Sequence, residues 1–254
     1  MRIVRIKTAD GAVWGALDGD EVRRLPEGPF TPALDPTDSL GRLEDLELLA
    51  PAAPSKIVCV GRNYVAHAAE HGADVPAEPL LFLKPPSALL SPGGTIVLPE
   101  LSNQVEHESE LALVVGSRAR QVPVDRAWRF VLGVTCGNDV TARDLQRSDN
   151  QWTRGKGFDT FCPLGPWLVT GMGEEAVGNL ELSCRVNTAL RQKASTDQMV
   201  FSPSYLISYI TQVMTLEPGD VVMTGTPAGV GPLEPGDTVE VEIEGIGTLT
   251  NTVR

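Results

Sequence analysis

Short apolar runs rich in Val, Ile and Leu recur along most of this chain, and glycine and proline separate them. Runs of about four to eight such residues between turn-forming residues are typical of β-strands. The 25 glycines and 20 prolines leave few stretches long enough for helices. The clearest is 202–216, where Ser202 is a suitable N-cap and Pro203 suits the first helical turn; a shorter helix is predicted for 124–132. We therefore predict a β-rich α+β fold and not a doubly wound sheet.

The first part of the chain has a pattern of its own. Residues 2–8 and 12–19 alternate apolar and polar side chains on either side of an Asp-Gly pair, which indicates a β-hairpin. A proline-rich stretch follows, and Pro51 and Pro54 are typical of a linker. We predict a small N-terminal domain at 1–53 and a main domain at 54–254.

Charge and composition exclude several classes of function. The formal charge of −12 argues against nucleic acid and against anionic membrane surfaces. No apolar run approaches the roughly 20 residues that cross a bilayer, and the N-terminus has no signal-like apolar segment. The cysteines contain no C-x-x-C pair, so we expect buried free thiols at Cys59, Cys136, Cys162 and Cys184. We predict a cytoplasmic protein.

Glutamates alternate with other residues in 104–116, at Glu106, Glu108 and Glu110, just before an apolar run. Side chains two apart on a strand share a face, so these carboxylates repel one another unless a cation lies between them. Carboxylate oxygens suit a hard divalent cation. The segment alone is equally compatible with an exposed edge strand whose glutamates face water.

A second acidic segment favours the metal. Asp139 comes at the end of the strand predicted for 130–136, where a tight turn can direct a carboxylate into a cleft. We predict that Glu108, Glu110 and Asp139 bind Mg²⁺ or Mn²⁺, with coordination positions left for water and substrate. Zinc would more often recruit His and Cys.

Two of the three histidines lie in a short helical stretch, 63–72, which Gly72 closes. His67 and Glu70 share a helix face, and a carboxylate that orients an imidazole is half of a general-base pair. The alternative is a solvated helix face. The same residues with His71 match the H-x-x-E-H zinc-peptidase pattern. That chemistry needs a longer helix than one ending at Gly72, so we disfavour it.

Basic residues are sparse, and those between predicted strands could pair with the carboxylates of a small anionic substrate. They are Arg62, Lys84, Arg143, Lys156 and Arg191. Lys156 is the strongest candidate, because glycine on each side lets backbone approach a ligand closely. The glycine-rich segment 225–233 lacks the ending of a P-loop but can present backbone N–H groups to an anion. No G-x-G-x-x-G or G-x-S-x-G motif occurs.

Taken together, six motifs resemble those of the fumarylacetoacetate hydrolase superfamily, in the family's order. They are G-R-N-Y-x-x-H-x-x-E at 61–70, P-L-L-F-L-K at 79–84, H-E-x-E-L at 107–111, N-D-V-T-A-R-D at 138–144, R-Q…M-V-F-S within 191–202 and G-T-P-A-G-V-G at 225–231. The resemblance covers about 54–254, and the first 50 residues resemble the N-terminal extension of many bacterial members. It implies a rolled mixed β-sandwich, usually a homodimer, with Mg²⁺ or Mn²⁺ in a cleft.

The resemblance also implies what individual residues do. The family's metal carboxylates match Glu108, Glu110 and Asp139. Its water-activating pair on a lid matches His67 and Glu70, and its active-site lysine matches Lys156. Its substrate-contacting positions match Arg62, Gln192 and Thr226. Glu106 has no family function and is expected to neighbour the site. Thr188 stands where the family usually has glycine, which puts the conformation of 187–192 in question.

The chemistry implied is that of a 2-oxo acid chelated to a divalent cation. Hydrolysis of a C–C bond in an acylpyruvate or fumarylpyruvate is expected first, with His67 activating water. The same centre could instead decarboxylate oxaloacetate, or decarboxylate or isomerise a 2-oxo-ene-dioate such as 2-hydroxyhepta-2,4-diene-1,7-dioate. A non-catalytic metal- or ligand-binding module is the remaining alternative. A His67→Ala variant discriminates between them. An enzyme that activates water loses turnover but keeps metal binding, a pure binding module changes little, and a decarboxylase that relies on the metal alone keeps much of its rate.

Overall fold

The computed structural model describes residues 1–31, 33–70, 72, 74 and 76–254. Within them the strands are β1 (Arg2–Thr8), β2 (Gly11–Asp18), β3 (Glu21–Arg24), β4 (Ser39–Arg42), β5 (Leu48–Leu49), β6 (Ile57–Gly61), β7 (Leu80–Lys84), β8 (Leu89–Leu90), β9 (Thr95–Ile96), β10 (Val105–His107), β11 (Ser109–Val115), β12 (Val131–Asn138), β13 (Thr141–Ala142), β14 (Cys162–Thr170), β15 (Glu181–Val186), β16 (Ala189–Ser195), β17 (Val221–Met223), β18 (Gly231–Pro232), β19 (Thr238–Ile243) and β20 (Gly247–Val253). The α-helices are α1 (Val65–Glu70), α2 (Val124–Ala127), α3 (Arg143–Ser148), α4 (Thr153–Lys156), α5 (Glu174–Val177) and α6 (Pro203–Val213). Strands dominate, which confirms the predicted β-rich α+β fold.

The strands form one large sheet and two smaller ones. The large sheet has the order β4-β3-β2-β1-β14-β12-β11-β17-β6-β7, and a five-stranded sheet has the order β16-β15-β19-β20-β9. Apolar side chains of both sheets share one buried cluster, including Leu113 and Val134 from the first and Leu182, Val241 and Leu249 from the second. The two sheets therefore pack face to face as a sandwich.

The third sheet is small and holds part of the acidic segment. It has the order β13-β10-β18, with Glu106 opposite Thr141 on one side and Pro232 on the other. It lies where β11 of the large sheet begins and β12 ends, so it brings residues from three parts of the chain together.

The N-terminal strands extend the large sheet. β1 and β2 form the predicted hairpin, with Thr8 opposite Gly11 across the turn. β1 also pairs with β14 through Arg2 opposite Val169, so the first segment hydrogen-bonds directly to the second. The division at residue 53 stays a prediction.

The helices follow their local signals. α6 begins as predicted, since the Ser202 hydroxyl accepts a hydrogen bond from the Tyr205 N–H at 3.3 Å. The helix predicted for 124–132 is shorter than expected: α2 gives way to a 3₁₀ turn, and β12 already begins at Val131. Burial of β12 inside the large sheet outweighs helix propensity there. No helix in the described ranges is long and apolar enough to cross a membrane.

The cysteines are buried and free, as predicted for Cys59, Cys136, Cys162 and Cys184. Burial raises the pKa of each thiol. They behave as small core residues rather than as nucleophiles.

Candidate active site

The acidic segment changes sheets at Glu108. The single strand expected over 104–116 is instead β10 followed by β11, so that expectation was wrong. The Glu108 N–H donates to Asn138 Oδ1 at 2.9 Å, and its carbonyl accepts from the Asp139 N–H at 2.8 Å. These bonds take the place of strand pairing at Glu108 and hold it beside the end of β12. They also bring Asp139 next to Glu108, although 30 residues separate the two segments.

Glu108, Glu110 and Asp139 form one buried cluster, in which one carboxylate oxygen of each lies within 4.8 Å of the others. The Glu110 carboxylate accepts a hydrogen bond from the Gly225 N–H at 2.8 Å. Gly225 has a φ of +101°, and a Cβ there would lie 2.7 Å from the Asn63 Cβ. Only glycine therefore lets this backbone N–H reach Glu110.

The electrostatics of this cluster suit a divalent cation. Burial, together with the charges of Asp139 and Glu108, raises the pKa of Glu110 well above its usual range. Asp139 Oδ1 is buried and accepts no hydrogen bond from any described residue, although the Lys84 Nζ lies 2.6 Å away as an ion-pair partner. Three buried carboxylates that each place one oxygen within 4.8 Å of the others are a fitting ligand set for Mg²⁺ or Mn²⁺.

Lys156 lies at the floor of the same cluster. It ends α4, its side chain is 2% exposed, and its Nζ donates to Glu108 Oε2 at 2.8 Å and to Asp139 Oδ2 at 2.6 Å. Burial alone would lower the pKa of Lys156, but Asp139 and Glu108 outweigh it and raise the pKa. The ammonium group is therefore charged at neutral pH.

Arg143 is a site residue that the sequence placed only among the general basic positions. Its guanidinium donates to Glu106 Oε2 at 2.7 Å, to Glu108 Oε1 at 2.6 Å and to Gln146 Oε1 at 2.6 Å. Burial would raise the pKa of Glu108, but the cations of Lys156 and Arg143 outweigh it and hold the pKa well below its usual range. Glu106 balances the charge of Arg143 and lies outside the cluster of Glu108, Glu110 and Asp139. No local pattern could identify this network, because its members come from β10, the β10–β11 junction and α3.

His67 and Glu70 face each other on α1. The His67 Nδ1 lies 3.5 Å from Glu70 Oε2, and the Glu70 carboxylate accepts from the Gly229 N–H at 3.1 Å. Burial lowers the pKa of His67, against an opposing effect from the Glu108 charge, so the imidazole is neutral at pH 7. His71, which completes the zinc-peptidase pattern, lies outside the described residues.

A cavity of about 410 Å³ joins these groups. Its lining includes the carboxylates of Glu108, Glu110 and Asp139, together with His67 and Lys156. Four cationic side chains line it, namely Arg62, Arg143, Arg147 and Lys156. Phe82 and Trp152 supply an aromatic wall and pack edge to face, with ring centroids 5.3 Å apart.

A family model described as fumarylacetoacetate (FAA) hydrolase C-terminal matches residues 56–254, and a second, described as Rv2993c-like N-terminal, matches residues 1–51. The chain belongs to the fumarylacetoacetate hydrolase family. This confirms the resemblance that the motifs indicated, including an N-terminal extension of a kind found in a relative.

Similar members of the fumarylacetoacetate hydrolase family include proteins with and without a named activity. Protein Rv2993c of Mycobacterium tuberculosis is 48% identical over all of this chain and 98% of its own length. Oxaloacetate tautomerase FAHD2B of Bos taurus is 45% identical over 82% of this chain and 70% of its own. The crystal structure of 2-hydroxyhepta-2,4-diene-1,7-dioate isomerase from Mycobacterium marinum superposes with a TM-score of 0.90 at 46% identity, covering 100% of this chain and 98% of the other.

The substrate-contacting positions expected from the family differ in where they lie. Arg62 lines the cavity, with a φ of +63° that is unusual for a residue other than glycine. Thr226 also lines it, while its hydroxyl donates to the Ser109 carbonyl at 2.8 Å. Gln192 does not reach the cavity: its fully buried amide accepts from the Ser109 N–H at 3.0 Å and donates to Thr226 Oγ1 at 2.8 Å. Its contacts support the cavity wall from behind.

Thr188 does not disrupt the hairpin that carries Gln192. Asn187 and Thr188 form the two-residue turn between β15 and β16, with φ values of +50° and +70°. The Asn187 Oδ1 accepts from the Thr238 N–H at 2.9 Å, which anchors the turn. The left-handed conformation is kept without glycine, at some cost in strain.

Proposed function

We propose that this chain is an enzyme that isomerises a small 2-oxo dicarboxylic acid between its enol and keto forms, with a divalent cation bound at Glu108, Glu110 and Asp139. The proposal depends on one observation: this carboxylate cluster, a charged Lys156 and a neutral His67 all line one cavity. Enol–keto isomerisation needs a group that stabilises negative charge on oxygen and a group that moves a proton. The cavity supplies both.

The cationic lining supports a dianionic substrate. Lys156 and Arg143 already contact carboxylates of the protein, whereas the guanidinium of Arg62 has no hydrogen-bond or ion-pair partner in the described part of the chain. Arg147 makes one neutral contact, at 3.2 Å to Gln104 Oε1. Arg62 and Arg147 can thus bind the second carboxylate of a substrate whose 2-oxo acid end lies at the cluster. A relative at 45% identity is named as an oxaloacetate tautomerase, and oxaloacetate is a 2-oxo dicarboxylate.

A bound Mg²⁺ or Mn²⁺ would supply Lewis-acid polarisation of the 2-oxo group. Side chains of the protein stabilise the developing charge and transfer the proton. Lys156 places its ammonium charge where negative charge develops on the substrate oxygen. The His67 Nδ1 lies on the side of Glu70, 3.5 Å from its carboxylate, so Nε2 is the atom that takes a proton from the enol or returns one to carbon. The neutral state of His67 near pH 7 suits it to accept that proton.

Hydrolysis of a C–C bond in an acylpyruvate or fumarylpyruvate, which the sequence alone favoured, is our second candidate. The contact between His67 and Glu70 favours it, because an imidazole oriented by a carboxylate also activates water. We rank it second because the relatives at more than 40% identity that carry a named activity are isomerases and tautomerases.

A substrate panel tests the proposal. Purified protein is incubated with the enol form of oxaloacetate, 2-hydroxyhepta-2,4-diene-1,7-dioate and acetylpyruvate, each with Mg²⁺ and with EDTA, while ultraviolet absorbance, CO₂ and acetate are followed. We expect chelator-sensitive isomerisation of a dicarboxylate without acetate release. Acetate and pyruvate from acetylpyruvate would establish hydrolysis instead, and CO₂ release would establish decarboxylation. Metal binding without any turnover would leave a binding module.

The remaining expectations concern partners and location. A homodimer, a small anionic 2-oxo acid ligand, the absence of nucleic-acid and membrane partners and a cytoplasmic location stay predictions. Sedimentation velocity of the purified chain tests the first of them.

A further inference from the structure

Lys84 is a second buried lysine beside the carboxylate cluster, and the chemistry proposed above does not use it. It ends β7, its side chain is 0% exposed, and it is absent from the residues that line the cavity. It therefore cannot touch a substrate in that cavity. A buried ammonium group is costly unless several acceptors surround it, so its contacts need an explanation.

The contacts of Lys84 all lie on two segments of the active site. Its Nζ donates to the Val140 carbonyl at 2.9 Å and to the Lys156 carbonyl at 2.6 Å. The same atom lies 2.6 Å from Asp139 Oδ1. One ammonium group thus joins the segment that follows β12 to the end of α4, across 56 and 72 residues of sequence.

The two lysines divide the oxygens of Asp139 between them. Lys84 contacts Oδ1, and Lys156 contacts Oδ2 at 2.6 Å. A carboxylate held by a cation at each oxygen has a fixed plane, whereas one held at a single oxygen can rotate about its Cβ–Cγ bond. Phe161 closes the apolar side of this arrangement, with its ring centroid 5.9 Å from the Lys84 Nζ.

We propose that Lys84 is a positioning residue of the divalent-cation site: it fixes the Asp139 carboxylate for the cation and, through the Lys156 carbonyl, fixes the lysine at the cavity floor. This rests on the proposed function only in that Glu108, Glu110 and Asp139 bind a divalent cation. Groups behind metal ligands typically change metal affinity by about 10- to 100-fold when removed. A lysine that merely filled the core would change stability and leave metal affinity alone.

Calorimetric titration of Mn²⁺ into the chelator-treated full chain tests this directly. We expect Lys84→Met to bind Mn²⁺ about 10- to 100-fold more weakly than the wild type. Lys84→Gln, which keeps amide donors but not the charge, is prepared alongside, and the comparison uses whichever variant retains the native circular dichroism spectrum. Lys56→Met is the matched control, because Lys56 pairs with the buried Asp220 away from the cavity.

The Mn²⁺ affinities distinguish a positioning function of Lys84 from a purely structural one. An unchanged Mn²⁺ affinity in a folded Lys84 variant would make the lysine structural only and overturn the proposal. Tighter binding would also overturn it, since Lys84 would then act as a charge that competes with the metal. If Lys56→Met also binds Mn²⁺ more weakly, general destabilisation explains the loss of affinity, and the proposal is overturned. Failure of the wild type to bind Mn²⁺ would refute the metal site itself, and the inference with it.

Discussion

Lys156 Nζ donates to Glu108 Oε2 at 2.8 Å, and both side chains are buried and line the cavity. The lysine contacts two of the three clustered carboxylates and also lines the cavity, so it can act on a substrate bound there. This pair links the carboxylate cluster proposed to bind the cation to the lysine proposed to stabilise the reacting oxygen.

Replacing Lys156 should reduce catalysis more than substrate binding. Lys156→Met removes a preorganised charge from a buried site, so we expect kcat to fall by about 100- to 1,000-fold. Steady-state kinetics with the preferred dicarboxylate measure this. Lys193→Met serves as the control, because Lys193 pairs with Glu181 and its side chain is 56% exposed. Equal effects of the two substitutions would contradict the function assigned to Lys156.

Removing the His67 imidazole should separate proton transfer from metal binding. In His67→Ala we expect turnover to fall by about 100-fold or more. Mn²⁺ affinity should stay as in the wild type, because His67 is not among the clustered carboxylates. Calorimetry and kinetics on the same preparation give both values. Retained turnover would show that the metal site and Lys156 act without this base, as a metal-only decarboxylase would.

The buried carboxylate of Asp220 is expected to stabilise the folded protein in a pH-dependent way. Its buried carboxylate accepts from the N–H groups of Ser55, Lys56 and Glu217, and from the Lys56 ammonium group. Burial would raise the pKa of Asp220, but these donors outweigh it and lower the pKa. We expect Asp220→Asn to reduce the free energy of unfolding at pH 7 by about 3 kcal/mol, measured by urea denaturation.

The loss of unfolding free energy caused by Asp220→Asn is expected to become smaller at low pH. The folded pKa of Asp220 is lower than the unfolded pKa, so its stabilisation is complete above the unfolded value of about 3.9 and fades as the pH falls through the folded value. The difference between wild type and Asp220→Asn should therefore shrink below about pH 4. A difference that stays constant with decreasing pH would show that ionisation of Asp220 does not contribute. Glu47→Gln, in an exposed pair with Lys7, should change stability little at any pH.

The turn at Thr188 predicts a stabilising substitution. Thr188 has a φ of +70°, which a β-branched residue adopts only with strain and glycine adopts readily. We expect Thr188→Gly to raise the free energy of unfolding by about 0.5–1 kcal/mol. Thr248→Gly, at an exposed position within β20, should lower it, because there glycine only weakens a strand. A loss of stability in Thr188→Gly would show that the turn is unstrained.

The sequence predicts the parts of the site that depend on local pattern. The alternation that places Glu108 and Glu110 two apart, and the strand end that presents Asp139, are visible in short segments. The pairing of His67 with Glu70 follows from helix periodicity alone. Of these groups, Glu108, Glu110, Asp139 and His67 do line one cavity, and Glu70 lies beside His67.

What the sequence could not predict depends on contacts between distant segments. The change of sheet at Glu108 arises because the side chain of Asn138 replaces a strand partner, 30 residues away. Gln192 lies behind the cavity wall because its side chain hydrogen-bonds to Ser109, 83 residues away, and to Thr226. Neither contact has a signature in short-range periodicity, and the motif resemblance transfers residue identity without transferring this geometry.

Metal dependence of turnover tests whether the carboxylate cluster binds a cation that the reaction requires. The wild type is treated with EDTA, desalted and assayed for isomerisation of the preferred dicarboxylate before and after Mg²⁺ or Mn²⁺ is added; Glu110→Gln is treated in parallel. We expect the wild type to lose activity with the chelator and to regain it with either cation, and Glu110→Gln to regain little at the same concentration. Full activity in the wild type after complete metal removal, or full recovery in Glu110→Gln, would show that turnover does not depend on a cation bound at Glu110.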